Sequence, residues 1–335
     1  MKNTIIYILI FILICFSIPI MFTKKTKKTM SKDFTYNNDN EISIKKVDNS
    51  KDKFANIKLL HSKTGVVENI NINEYLCNVV SAEMPANFDK EALKAQAVVA
   101  RTYTIYKVLN KKHENADICD DSSCCQAWIS KEDRFNKWEE NSRESNWEKI
   151  CDSVYSTSGK IITYDNKPIN AFFHSNSGGI TELPVNVWGG TNYPYLQSVE
   201  TSGEDGYKQY LSEINLTYDE LLNKLKEKYP DIEIDLNDNE SIKILEYTES
   251  KRVKTIKFGN HNLSGVEART IFGLKSTKFE VEKNDNNIKF KVIGNGHGVG
   301  MSQTGADAMA KSGASFEDII KHFYKDVEIK DVNSI

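Results

Sequence analysis

In the stretch SAEMPANFDKEALKAQAVVART, residues 81 to 102, one acidic residue, Glu83, is fixed between a small residue and Met-Pro. A carboxyl group on such a turn, facing a cleft, is partly desolvated; this raises its pKa and suits it to donate a proton near neutral pH. The same spacing is met by a carboxylate that only complements the dipole of the helix after it. Lys94 and Arg101 are two helical turns apart and share an azimuth beside that helix's apolar face, either as a solvated edge or as a basic stripe near Glu83.

A second group of candidates lies in HENADICDDSSCC. His113, Cys119 and Cys125, with five residues between each and the next, offer one imidazole and two thiolates, a zinc set within one loop. Cys124, adjacent to Cys125, is not expected to face the same ion. A loop disulfide on the oxidising side of a membrane is the competing account. Cys77 and Cys151 read as buried apolar residues.

The third group is FHSNSGG, residues 173–179, and GNGHGVGMSQTGA, residues 294–306. Their glycines permit close backbone approach to a ligand, and His297, Ser302 and Gln303 add hydrogen-bonding side chains. The Walker lysine and the strand–GxGxxG–helix arrangement are absent, which argues against a nucleotide. His174 and Ser175 lack the GxSxG elbow of a hydrolase. Sugar-binding polar loops fit better.

The elements that must position these residues can be read from pattern. Thr64-Gly65 turns a hairpin, NEYLCNVVSAEM forms a short helix, and Pro85 forces Met84 out of the helical region. Residues 89–110 form a long helix with Asp89 as N-cap and Glu91 in its first turn. A helix over about 144–157 and a hairpin over 160–174 follow. Thr217-x-x-Glu220 and Ser264-x-x-Glu267 are capping boxes that open two further helices, the second ending at Gly273. Residues 242–258 alternate as a hairpin, strands fall near 277–282 and 287–293, and SFEDIIKHFY is a last helix. The fold class expected is α+β, with mixed helices and short antiparallel strands. A core of residues 54–204 and 275–335 is interrupted by a smaller inserted subdomain at 205–274.

With 335 residues the chain is long enough for a sizeable core, and its formal charge of −3 gives no reason to expect nucleic acid as a partner. Six cysteines are too few for a disulfide scaffold. Residues 4–22, TIIYILIFILICFSIPIMF, carry no charge across 19 positions, about the ~20 a spanning helix needs. No small-x-small cleavage site follows, so residues 1–30 read as an uncleaved anchor rather than a signal peptide, with a polar linker at 31–53. The lysines of KKTKK leave the orientation open, because long downstream domains translocate largely regardless of charge.

Taken in order, YLCNVVSAEMPANFDKEALKAQAVVARTYT, HENADICDDSSCCQAW, AFFHSNSGGITE, VWGG, PYLQSVE and GNGHGVGMSQTGADAMA resemble the stage II sporulation protein D family of endospore-forming bacteria. The blocks span roughly residues 55–330, and the Cys loop resembles the clostridial branch. The resemblance implies a lytic transglycosylase that acts on peptidoglycan glycan strands during engulfment, beside stage II sporulation proteins P (an amidase) and M (a membrane scaffold). It implies an anchor in the mother-cell membrane, with the catalytic domain in the space between mother cell and forespore. The family's catalytic acid falls on Glu83, and its zinc ligands fall on His113, Cys119 and Cys125. Lys94, Arg101, Gln126, His174, Ser175, Gly178, Gly179, His297 and Gln303 fall in its motif blocks as substrate-cleft residues.

Such an enzyme needs one carboxyl group where ordinary glycosidases use two. The sugar's own C6 hydroxyl attacks the anomeric carbon, so the acid that protonates the leaving oxygen can afterwards take the hydroxyl proton. Zinc would then pin the loop beside the cleft, since no water is consumed. A zinc-dependent peptidoglycan hydrolase and a non-catalytic wall-binding enhancer of other lytic enzymes are the alternatives.

Overall fold

The computed structural model describes residues 52–190, 193–284 and 286–335. The expected anchor and nearly all of the expected linker lie outside them. Among the described residues no helix is long and apolar enough to cross a membrane.

The chain opens with the hairpin β1 (Asn56–His61) and β2 (Val66–Asn71), then α1 (Ile72–Glu83) and the long α2 (Lys90–Leu109). Short β3 (Ile118–Cys119) leads to α3 (Lys131–Phe135) and α4 (Arg143–Ser156), followed by β4 (Lys160–Tyr164), β5 (Lys167–Pro168), β6 (Phe173–His174) and α5 (Pro184–Trp188). Next come β7 (Leu211–Thr217), α6 (Tyr218–Lys226), β8 (Ile242–Tyr247), β9 (Val253–Phe258), β10 (His261–Ser264) and α7 (Gly265–Phe272). The chain closes with β11 (Phe279–Lys283), β12 (Asn287–Ile293), β13 (Met301–Ser302), α8 (Gln303–Lys311), α9 (Phe316–Phe323) and β14 (Glu328–Asp331). This is a mixed α+β fold whose short sheets are mostly antiparallel; β1–β3 and β6–β13 pair in parallel.

Local signals in the sequence explain most boundaries. Asn71 and Asp89 cap α1 and α2 by accepting from the backbone N–H two residues on. Both expected capping boxes form, at Thr217–Glu220 and Ser264–Glu267, and Gly273 ends α7 in the left-handed conformation at φ 68°. Asp165 and Asn166, at φ 48° and 59°, turn β4 into β5.

Helix α2 is the centre of the first apolar cluster, packing against α1, α4, α8, α9 and β4. Its alanines at 92, 95, 97 and 100 are buried, so neighbours approach on nearly every side, as expected of a helix enclosed by its own domain. A second apolar cluster runs from Leu216 to Val292 and includes Leu221, Phe258, Phe272 and Phe290. Strand β12 pairs with both β7 and β11, so residues 279–292 pack with this cluster, beyond the boundary at 275 drawn from the sequence.

Candidate active site

Glu83 is the last residue of α1. The helix stops there because proline excludes the helical region for the residue before it: Met84 turns extended (φ −121°, ψ 143°) while its N–H still donates to the Val80 carbonyl. The dipole of the next helix is complemented by Asp89 and Glu91 in its own first turn. The Glu83 side chain points instead to the Cys loop, where its Oε1 accepts the Ala127 N–H at 2.8 Å. Burial pushes the Glu83 carboxyl above its ordinary value, while the Ala127 and Gln303 donors hold it partly back.

Two clefts meet at this carboxyl group. One, of about 450 Å³, runs past Met84 and Pro85 to Arg134, Trp138, Asn146 and Gln209. The other, of about 730 Å³, is lined by Tyr103, Lys107, the 122–127 loop, Phe172, Trp188 and His297. Both fall within the ~300–1,000 Å³ typical of ligand sites. Glu83 lines both, and among the residues lining them it is the only carboxylate. Each cleft carries an indole. Trp188 is 51 % exposed and lies 4.6 Å from the Phe172 ring and 5.1 Å from His297, centroid to centroid. Trp138 lies under the Arg134 guanidinium at 4.8 Å.

The segments expected to converge do so at different depths. Parallel pairing of β6 with β13 and the Asn176–Asn295 bridge join the His174 segment to the glycine-rich one. His174 is buried; its Nδ1 donates to the Val299 carbonyl, and burial beside Arg252 lowers its pKa to about 4, so the ring is neutral. His297 accepts the Val299 N–H on Nδ1 and turns its ring toward the larger cleft. Gln126 is among the residues lining that cleft, and its buried side chain donates to the Tyr75 and Thr104 hydroxyls. Gln303, the first residue of α8, reaches both Glu83 and Gln96. The Ser175 carbonyl accepts from Thr304, Gly178 donates to Asn176, and Gly179 donates to Glu204, so these three hold the loop together.

The two expected cations sit elsewhere. Arg101 is 1 % exposed and donates to the carbonyls of Val154, Thr157 and Lys160 and to Asn73, tying down the open carboxyl end of α4. Lys94 pairs with Glu91 at 2.6 Å and lies over the Phe316 ring, bracing α2 against α9. The cations lining the clefts are Lys107 and Arg134, which sequence reasoning missed. Neither has a periodic signature; only tertiary packing puts them beside Glu83.

The glycines of the 294–300 loop also differ from expectation. A Cβ on Gly300 would lie 1.9 Å from the Phe172 carbonyl oxygen, and one on Gly298 2.5 Å from Arg252. These positions make room for protein backbone and a buried guanidinium, not for a ligand. Sequence reasoning also missed Glu204, a buried carboxylate that accepts from the hydroxyls of Ser177, Thr201, Ser302 and Thr304 and from the N–H groups of Ser177 and Gly179. Those donors depress its pKa to about 2, and they fasten the 175–179 loop to the start of α8.

The Cys loop gathers His113, Cys119, Cys124 and Cys125 so that their donor atoms all lie within 4.8 Å of one another. One imidazole with thiolates is a donor set suited to zinc. All five cysteines among the described residues are free thiols.

The pattern of the family described as "Stage II sporulation protein" matches residues 60–164, which contain Glu83, α2 and the Cys loop. The Stage II sporulation protein D of Bacillus subtilis (strain 168) is 37 % identical over 272 residues, covering 80 % of this chain and 77 % of the relative. That of Bacillus amyloliquefaciens is 35 % identical over 288 residues, covering 85 % and 81 %. The "Amidase enhancer" of Bacillus subtilis (strain 168) is 30 % identical over 297 residues, covering 74 % of this chain and 39 % of the relative. With its likeness to both D proteins running through most of either sequence, the chain belongs to the stage II sporulation protein D family, a family of sporulation proteins.

Proposed function

We propose that this chain is a lytic transglycosylase that cleaves peptidoglycan glycan strands between N-acetylmuramic acid and N-acetylglucosamine, leaving a 1,6-anhydro end. The observation that carries this reading is Glu83, a lone, raised-pKa carboxyl group where two clefts meet. A glycan laid through both clefts has its scissile oxygen at that group and aromatic faces for sugar rings on either side. A hydrolase of the usual kind needs a second carboxylate about 5–9.5 Å away to act as nucleophile or base. With one carboxylate, the C6 hydroxyl of the sugar is the nucleophile, and its attachment to the same ring supplies the proximity.

Glu83 enters protonated and gives its proton to the departing glycosidic oxygen. As a carboxylate, steadied by the Ala127 N–H, it takes the proton of the attacking C6 hydroxyl and is restored. Lys107 and Arg134 offer cations to anionic groups of the strand, such as a lactyl carboxylate freed of peptide. His113, Cys119 and Cys125 would hold a zinc ion whose contribution is structural: it fixes the loop that carries Ala127. We place the domain outside the mother-cell membrane, held by the apolar segment at 4–22 and facing the forespore. There it acts during engulfment with stage II sporulation proteins P and M.

The test is mass spectrometry of denuded strands incubated with the full chain. Anhydro-terminated fragments are expected. Glu83→Gln should lower their formation by the ~10²–10⁴-fold that general acid–base catalysis contributes, or more. Activity should fall on the alkaline side as Glu83 loses its proton, at a pH above the ordinary carboxylate range. Fragments with free reducing ends would mean hydrolysis. The likeness to an amidase enhancer favours a second reading, a non-catalytic stimulator of another enzyme. It gains if no fragments form and Glu83→Gln still supports engulfment.

A further inference from the structure

A third cavity, of about 410 Å³, lies apart from Glu83, beside the carboxyl end of α7. Its walls include Arg269 of α7, Leu274 and Lys275 just beyond that helix, and Asn295 of the glycine-rich loop. The lining holds two cations and no carboxylate. A cation in the last turn of a helix ordinarily complements the helix dipole. Arg269 does this with one of its five N–H donors, its Nε donating to the Leu274 carbonyl at 3.3 Å. Among the described residues the other four donors have no protein acceptor, and neither Arg269 nor Lys275 has a carboxylate within ion-pair reach. Burial lowers the Arg269 pKa with no acidic neighbour to offset it. The Asn295 side-chain amide is also without a partner among the described residues. Cations so enclosed are usually paired, and a pocket of one sign concentrates ligands of the other.

This pocket adjoins the larger cleft. The Lys275 carbonyl accepts the Gly296 N–H at 2.8 Å, which fixes the segment after α7 to the glycine-rich loop. On one side of Gly296 stands Asn295, which lines the pocket; on the other stands His297, which lines the cleft. Two residues of chain span at most about 7 Å, so the two cavities are near neighbours. The charges register the same closeness: after burial and His174, Arg269 is the next influence that disfavours a proton on the His297 ring.

We propose that this pocket binds a carboxylate carried by the peptidoglycan strand where the strand leaves the larger cleft, with Arg269 and Lys275 as its cations. The inference rests on the glycan reading given above and adds a site to it. The Arg269 guanidinium can offer two parallel N–H groups to the two carboxylate oxygens, a match that a point charge does not supply. Lys275 is exposed and brings its charge to the ligand without any rearrangement of the fold. A strand carries carboxylates from two sources: the lactyl group where the peptide has been removed, and the stem peptide where it has not. A contact this far from the reacting bond is the same in the ground and transition states, so it acts on affinity and not on turnover.

Binding, rather than cleavage, tests this. The full chain carrying Glu83→Gln is titrated with denuded strands, with strands that keep their stem peptides, and with chitin oligosaccharides of the same length, which carry no carboxylate. Adding Arg269→Gln and Lys275→Gln together should weaken binding of a carboxylate-bearing strand by roughly tenfold or more, and leave the chitin oligosaccharides unchanged. A loss confined to denuded strands assigns the pocket to the lactyl group; one confined to peptide-bearing strands assigns it to the stem peptide. Equal loss for the chitin oligosaccharides would overturn the inference, since the substitutions would then act through the fold. No loss for either strand would overturn it too and leave the transglycosylase reading standing. A chain that binds no strand before the cations are removed would overturn both. Lys275→Gln alone, at an exposed position, should weaken carboxylate-bearing strands in the same direction and keeps the test decisive if the paired variant does not fold.

Discussion

Glu83 and Glu204 are two carboxyl groups pushed in opposite directions by their surroundings, and the contrast explains their roles. Glu83 has two donors and is otherwise enclosed, so burial dominates and its pKa is raised. Glu204 is more richly solvated by protein: four hydroxyls and two backbone N–H groups favour its charged form. Its pKa in the fold, about 2, lies below the ordinary 4.5, so it stabilises the fold above the unfolded value. That stabilisation is lost as pH falls from about 4.5 toward 2 and amounts to about 3 kcal/mol. Glu204→Gln should therefore flatten the loss of thermal stability across this acid window and lower stability at neutral pH. Melting curves at stepped pH check it, and a variant that still shows the full acid loss would assign that loss to other groups. Of the two residues only Glu83 was legible in the sequence, flagged by Met-Pro; Glu204 stands in an unremarkable SGED turn.

The α1 terminus and the two site loops show what local sequence can and cannot specify. Pro85 dictates where α1 ends, and the capping residues dictate where α2, α6 and α7 begin, because each acts through backbone groups within a few residues. The glycine-rich loop is different. Gly300 has φ 72°, and its Cα hydrogen faces the Phe172 carbonyl across the β6–β13 pairing. Gly300→Ala should destabilise the protein by about 4 kcal/mol or more, since both the conformation and the contact forbid a methyl group. Chemical denaturation measures this. A loss near 1 kcal/mol, no more than the strain of the positive φ alone, would mean that the two segments separate easily. The spacing of the glycines was legible; their use in packing one loop on the other was not.

At the scale of the molecule, the second apolar cluster is connected to the site through buried polar groups. Arg252, the residue before β9, donates to the Ser177 carbonyl at 2.8 Å and to the Ser276 hydroxyl at 2.7 Å. Glu182 accepts from Thr248 and Ser250 in the β8–β9 turn and from the Leu183 N–H beside α5. Residues 248–252 therefore brace the loop that carries His174. Arg252→Met should cost about 3 kcal/mol or more by leaving those acceptors unpaired. It should also reduce turnover without moving the pH at which activity falls, because Glu83 is untouched. A change in that pH would show that the second cluster acts on the Glu83 carboxyl group itself.

The sequence alone determined the class of fold, the ends of its main helices, Glu83 as the candidate acid and the Cys loop as a candidate metal set. Each of these depends on residues close together in the chain or on blocks that keep their order. Tertiary structure decided which cations face the clefts, that Arg101 supports α4, that Cys124 turns toward Cys125 and His113, and that Glu204 ties the loops together. Those outcomes depend on contacts between segments as far apart as α2 and α4 or Glu204 and Ser302. Direction and burial across such distances are set by how whole elements pack, which no spacing along the chain records.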